Sequence, residues 1–545
     1  MIKKYLDIII DQAVVPLSLV GLVMVLLLSN ANPYFYPPNR DNGLFLYLGR
    51  MVQQGGVLYK DVWDNKPPLI FLIDSLGLWL GQDTRWGVWL IEFVFLTLSA
   101  WIAYRVIKTK WQTGAAVFAS ILWMSGISGM MVTGNLIEGY ALLFAFSAIL
   151  FFALGTKSSD AGLWESFVGI TAGLSFFLRP NTIGIQISIG LAWFIWGMLN
   201  RQFKITFKRL IFWGSGFLIP CLVMSGYLLY EGNIYEAFTA SFLYGLYYSG
   251  GHGNLANSII SGFQYVGIPA WITLAGYLLV LIKIFNPKHI RKMEPWDIFL
   301  VIGWPLEILF SSLSGRAYEH YFISWAPAMA VTGGYLFYLV SKAIKQEKII
   351  FNINRFANAF LLIVCLGLLI VNRQTVLEYR RPLLNKLANA QSEYEKIDRV
   401  SNYVKTFSDP DDFVLGWGGQ AGINYMAKRD TPTPFFWYPL YIDSPYTGAM
   451  NSRFLQDLKS RQPELIIDCM IDAVLEIPSI NDVNRQKQID AGYPYILQYV
   501  KTANLSQTIN YIHEHYDFET TVDQHDIYRL KGSSWKDKVP EAYTW

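Results

Sequence analysis

Apolar stretches recur along this chain so densely that they dictate the solvent in which it folds. A helix needs about 20 predominantly apolar residues to cross a bilayer, and the stretches that meet or approach this are 13–29, 86–106, 113–131, 136–155, 162–178, 182–199, 208–230, 262–285, 296–313, 321–341 and 350–371. In hydrocarbon every backbone amide and carbonyl must be satisfied within the segment, so these stretches are predicted to be helices. Only 16% of residues are charged and 53% are hydrophobic, whereas soluble domains average roughly a quarter charged. The expected fold class is an α-helical polytopic membrane protein of about 11–13 transmembrane helices, followed by a soluble α/β domain.

A further apolar stretch, 67–80, is short, opens with Pro67-Pro68 and contains Asp74. Whether it crosses decides the side of every later loop. If it does not, Arg105/Lys108/Lys110, Lys157, Arg201/Lys204/Lys208/Arg209, Lys283/Lys288/Arg291/Lys292 and Lys342/Lys345/Lys348 all fall on the cytoplasmic side, and the opposite loops after the first carry chiefly Arg179 and Arg316. Cytoplasmic loops are the ones enriched in Lys and Arg, so 67–80 is predicted to be a juxtamembrane helix on the outer face. The expected placement is a multi-pass protein of the cell membrane with a cytoplasmic N-terminus, and residues 13–29 are read as a retained signal anchor.

After residue 371 the chain turns polar. Residues 393–407 read as a helix, 413–417 as a strand, and 454–459 followed by 464–469 repeat that helix-to-strand pattern, as expected of a small α/β layer. The predicted domains are a membrane module, 1–374, with its first outer loop at 30–85, and an extracytoplasmic soluble domain, 375–545. The loop 231–261, with Ser249-Gly250-Gly251-His252-Gly253-Asn254, is glycine-rich and also falls outside.

A net charge of +3 offers no basic face for nucleic acid. Cys221, Cys365 and Cys469 are too scattered for a disulfide framework or a cysteine-based zinc site. His513 and His515, with Asp517 nearby, have a spacing that on a strand suits zinc, yet no third strong ligand accompanies them, and they read as surface residues.

The first outer loop is where chemistry concentrates. It contains Asn39-Arg40-Asp41-Asn42-Gly43 and Tyr59-Lys60-Asp61-Val62-Trp63-Asp64-Asn65-Lys66-Pro67-Pro68. Ionisable groups pressed against a membrane are a functional signal, although a wet interfacial loop carries charges without one. Asp41 supplies a carboxylate able to take a proton from a hydroxyl, and Lys66 a cation able to stabilise a departing phosphate. The two prolines and the apolar helix after Lys66 would hold its ammonium at headgroup depth, where a lipid phosphate lies.

Arg-Asp-x-Gly followed by Gly-x-x-Tyr-x-Asp-x-Trp-Asp-x-Lys-Pro-Pro at 56–68 resembles the first-loop signature of the GT-C superfamily, especially bacterial members related to the protein O-mannosyltransferases and the aminoarabinose transferases of lipid A. Asn135-x-x-Glu138, Phe177-Leu178-Arg179-Pro180, His320-Tyr321 before Pro327, and Val414-Leu415-Gly416-Trp417-Gly418 with Lys428-Arg429 agree with it. The resemblance implies a GT-C fold, a polyprenyl-phosphate sugar donor and inverting transfer to an acceptor hydroxyl on a protein, a glycolipid or a polymer. Asp41 matches the family's catalytic acidic residue, and Lys66 the lysine holding the donor phosphate; Arg316 is a further candidate cation for that phosphate. Arg40, Asp61, Asp64, Glu138, His252, His320 and Tyr321 are further candidates for substrate binding. Many relatives have Asp-Glu where this chain has Asp41-Asn42, so no metal site is carried over and a divalent-ion requirement stays open.

Plainer readings stand beside these. Glu138 near a helix start can simply complement the helix dipole, Arg316 and His320 can be an interfacial anchor, and His252 can lie in a solvated loop. The main rival function is a transporter or flippase of a lipid-linked saccharide. Transporters place ionisable groups within their spans, whereas the conspicuous charges here gather in outer loops, with Glu92 and Glu307 the exceptions.

Overall fold

The computed structural model describes residues 13–158, 161–249, 254–286, 293–346, 353–386, 398–436, 440, 442–469, 478–492 and 505–535. Each predicted apolar stretch is helical where described. Among the described residues, five helices are long and apolar enough to cross a membrane: Arg85–Trp111, Thr113–Met130, Ile137–Gly155, Phe203–Tyr230 and Glu319–Ile344. Two bent pairs raise the number to seven, Leu255–Val266 with Ile268–Ile284 and Phe356–Val371 with Arg373–Arg380. Shorter apolar helices are Val15–Leu27, Leu69–Leu80, Leu163–Leu178 and Gly184–Leu199.

The differences from straight, uniform spans have local causes. The stretch predicted as one helix over 262–285 breaks at Gly267, whose φ of +67° lies in the left-handed region, and the chain turns there by 110°. Leu163–Leu178 and Gly184–Leu199 are 16 residues each, about 24 Å of helix, because Arg179 is extended and Pro180 interrupts the ladder between them. Leu69–Leu80, at 12 residues, is far shorter than the roughly 20 needed to span.

The chain divides into two compact units. One consists of Met1–Asn32, Trp89–Tyr227 and His252–Arg381; the other of Pro33–Val88, Leu228–Gly251 and Pro382–Trp545. The sequence-based boundary at 374/375 left the first loop with the membrane helices; in the structure that loop packs with the C-terminal α/β region. The helical unit has an aromatic core in which Trp123, Trp193, Trp304 and Trp325 are fully buried, with the Trp325 indole donating to Ser311 Oγ at 2.8 Å.

In the second unit, β1 (Val414–Trp417), β2 (Leu465–Asp468), β3 (Tyr516–Val522) and β4 (His525–Leu530) form one sheet in the order β1-β2-β4-β3. β1 and β2 are parallel and joined through helices, including Thr447–Arg461; β4 runs antiparallel to both its neighbours. The predicted strands at 413–417 and 464–469 are β1 and β2, and the predicted helix at 393–407 is described as Arg399–Thr406. His513 and His515 end the helix Ser506–His515 rather than lying on a strand. Residues two apart on a helix face different directions, so the pair cannot share a ligand there. Among the described residues no group of three or more His, Cys, Asp or Glu is placed to hold a metal ion.

The helix Arg40–Gln53 of the first loop rests on the helix Ala421–Ala427. A Cβ on Gly43 would stand 2.7 Å from the Gly422 Cα and 2.8 Å from its nitrogen. Those are backbone atoms, which cannot rotate away as a side chain would. Gly43→Ala is therefore expected to cost about 1–3 kcal/mol, seen as a lowered midpoint of thermal unfolding in detergent; an unchanged midpoint would show that the two helices part without penalty.

Candidate functional site

The helix bearing Asp41 begins where Asn39 caps it, its Oδ1 accepting from the Asn42 amide at 2.9 Å. Such a cap contributes about 1 kcal/mol. Asp41, half-buried in the first turn, places its negative charge beside the positive end of the helix dipole. Further along, Arg50 is buried; its guanidinium donates to the Tyr425 carbonyl at 3.1 Å and pairs with Asp430 at 3.5 Å. Tyr47 is also buried; its hydroxyl accepts from the Thr431 amide at 3.0 Å, and burial, then the nearby Asp430 charge, pushes its phenol well above the usual range. The α/β domain thus holds the whole helix from Gly43 to Arg50.

The second half of the loop is folded around Lys66. Asp64 is fully buried, and its carboxylate receives the Lys66 ammonium at 3.3 and 3.4 Å and the Lys66 amide at 3.2 Å. The Lys66 carbonyl accepts from the hydroxyls of Tyr59 at 2.8 Å and Ser241 at 3.2 Å. Tyr59 reaches it from a left-handed backbone, φ +66°, which costs about 1–3 kcal/mol in a non-glycine residue. Asp61 closes the turn by accepting from the Val57 amide at 2.8 Å. Trp63 packs edge-on to Tyr244 at 5.0 Å and its amide donates to the Pro434 carbonyl at 3.0 Å.

The Lys66 ammonium also lies 5.2 Å from the centre of the Phe45 ring. Phe45 follows Asp41 by four residues, and residues four apart share a helix face. Lys66 and Asp41 therefore address the same side of one helix.

In the helical unit a second set of predicted residues comes together. Arg179, in the extended break between two helices, pairs with Glu138 at 2.6 Å and lies 3.9 Å over the Tyr321 ring. Tyr321 meets His320 at 4.8 Å and Tyr318 at 5.4 Å. Tyr318 stacks on His320 and accepts from Arg316 Nη1 at 3.1 Å. Glu138, Arg179, Tyr321, His320, Tyr318 and Arg316 thus form one continuous chain of contacts. Nearby in sequence, Thr133, Gly134 and Asn135 are all left-handed, and buried Glu92 accepts from the Asn135 amide at 2.8 Å. His252 lies outside the described residues.

A family model described as dolichyl-phosphate-mannose-protein mannosyltransferase matches residues 65–230, a stretch that includes Lys66 and Glu138. Among solved structures, ArnT from Cupriavidus metallidurans, bound to undecaprenyl phosphate, is similar with a TM-score of 0.52 and 13% identity, over 76% of this chain and 84% of that one. This is a GT-C fold. The archaeal oligosaccharyltransferase AglB from Archaeoglobus fulgidus, in complex with an inhibitory peptide and a dolichol-phosphate, is similar at a TM-score of 0.50 and 12% identity, over 86% of this chain and 71% of that one. No curated protein matches the sequence.

Within this GT-C fold the candidates sort by what they touch. Lys66 has a counter-ion and an aromatic platform, and Asp64 is that counter-ion. Asp61 is engaged with its own loop's backbone, and Arg40, like Asp41, is half-buried in the first helical turn. Sequence reasoning passed over Ser241 and Tyr318. Tyr59 had a signal, its place in the 56–68 motif; Ser241 had none, since its contact with Lys66 joins residues 175 apart.

Proposed function

We propose that this protein is an inverting membrane glycosyltransferase that moves a sugar from a polyprenyl-phosphate donor to an acceptor hydroxyl at the extracytoplasmic face. The observation that carries this reading is the Lys66 ammonium, held against the fully buried Asp64 on the helix face that bears Asp41. The family-model match across Lys66 supports it, and so do the lipid phosphates bound by the two similar structures.

In the proposed step the acceptor oxygen forms a bond to the anomeric carbon as the bond from that carbon to the phosphate oxygen breaks. Attack from the opposite face inverts the centre. The electron pair departs with the polyprenyl phosphate, whose charge Lys66 stabilises, and the acceptor proton passes to the Asp41 carboxylate. Arg40, beside Asp41, is proposed to help hold the substrates in line. Asp64 is a positioning residue, because its own oxygens are taken up by Lys66. Asp64→Asn should accordingly lower turnover about 10–100-fold chiefly in kcat, with recovery in Asp64→Glu; equal turnover by Asp64→Asn would remove it from the mechanism.

The testing experiment is transfer of radiolabelled sugar from a polyprenyl-phosphate donor in proteoliposomes. Label passing to an acceptor supports the proposal. Donor that is never turned over but crosses the bilayer at a rate unaffected by Asp41→Asn replaces the proposal with the flippase reading.

A further inference from the structure

A cavity of about 500 Å³ opens in the helical unit, lined from four helices: Arg85–Trp111, Ile137–Gly155, Gly184–Leu199 and Pro295–Ser312. The donor-site residues are not part of it. Its basic lining comes from the C-terminal part of the first helix, which contributes Arg105 and Lys110, and from Lys157 just after the second; among the described residues, the acidic group in the lining is Glu294, at the start of the fourth. Two indoles complete the wall. Lys110 lies 5.0 Å from the Trp296 ring centre, and the Trp296 nitrogen donates to Thr156 Oγ1 at 3.3 Å; Trp196 lies on the other side. The rest of the lining includes the apolar side chains of Val106, Leu150, Ala153 and Leu154.

Among the described residues, the three cations face Glu294 in the lining, and the Asp297 carboxylate also acts on Lys110, which leaves a local excess of positive charge. A purely solvated basic loop would not need a walled cavity, and a lining that pairs cations with aliphatic and indole side chains does not suit a small hydrophilic anion. The combination suits an amphiphile with a phosphate headgroup, whose charge meets Arg105, Lys110 and Lys157 and whose glycerol and upper acyl carbons meet the indoles and the aliphatic side chains. Basic pockets between transmembrane helices at the side where Lys and Arg cluster are where anionic lipids are expected to bind, and these three residues belong to the clusters that the charge pattern assigns to the cytoplasm.

We infer that this cavity is a binding site for a phosphate ester, of which an anionic phospholipid headgroup is the form its apolar lining selects. It stands apart from the proposed transfer reaction, and its test does not depend on that reaction.

The test uses the purified full chain in detergent, with bound lipid counted by native mass spectrometry after addition of phosphatidylglycerol, phosphatidylcholine or inorganic phosphate. The native chain should retain phosphatidylglycerol over phosphatidylcholine, and each of Arg105→Gln, Lys110→Gln and Lys157→Gln should weaken retention about fivefold. Lys204→Gln with Lys208→Gln, outside the cavity, should leave retention unchanged. Displacement of the lipid by millimolar inorganic phosphate, lost in the same variants, would assign the site to a soluble phosphate ester. Equal retention by the native chain and all three single variants, or an equal loss in the Lys204/Lys208 control, would overturn the inference. The three residues are exposed, so the single variants should still fold; a combined variant is not required.

Discussion

Lys66→Ala is expected to lower sugar transfer about 10²–10³-fold, and Asp41→Asn about 10²–10⁴-fold, in variants that still insert and fold. The first magnitude is that of removing one preorganised group aimed at charge developing on a leaving group; the second is that of losing a positioned general base. The lysine result alone would be ambiguous, since Lys66→Ala also strands the carboxylate of Asp64, which is fully buried. An uncompensated buried charge destabilises its surroundings. The double variant Lys66→Ala/Asp64→Asn removes both charges and so separates the effects. If it folds like the native chain and remains inactive, the ammonium acts on the substrate. If it recovers transfer, Lys66 serves only to satisfy Asp64, and the proposed donor contact falls.

Arg529→Ala should destabilise the α/β sheet by about 3–5 kcal/mol. Arg529 on β4 is 3% exposed and ties three segments together: it donates to Glu464, just before β2, at 2.7 Å, to Glu519 on β3 at 2.9 Å, and to the Phe407 carbonyl at 3.1 Å. Tyr403 reaches the same Glu519 carboxylate through its hydroxyl. Truncating the guanidinium leaves two carboxylates facing each other in a largely dry site. Hydrogen exchange of the β2 and β4 amides in the full chain would read the loss directly. Exchange unchanged within about 1 kcal/mol would mean that the network is solvated and contributes as little as a surface pair. Because the helix Arg40–Gln53 rests on this domain through Gly43 and Arg50, the same variant should also reduce transfer.

The local elements were legible in the sequence for a simple reason. Apolar runs and their breakers act on nearest neighbours, so the helices at 86–106, 113–131 and 136–155, and the stop at Arg179-Pro180, follow from the residues themselves. Runs of 16 residues could not be told from full spans in the same way, and the bend at Gly267 depends on a backbone angle that many glycines never adopt. Asp41 and Lys66 were visible as a motif, and Asp64 as a charge near Lys66. That Asp64 is the buried partner of Lys66 was not visible, because spacing does not reveal which of Asp61 and Asp64 turns inward.

What the sequence determined by itself is the lipid-embedded class of the chain, the position of its apolar helices, the α/β character of the C-terminal region and the ionisable residue types of the first loop. The tertiary structure alone decided that this loop folds as one unit with the C-terminal domain, and that Glu138, Arg179, Arg316, His320 and Tyr321 form one ladder of contacts. The physical reason is range. Arg50 meets the Tyr425 carbonyl across 375 residues, and Arg179 meets Glu138 across 41. Such pairs leave no periodicity in the chain; they arise when close-packed helices and a Gly43–Gly422 contact bring distant backbone together.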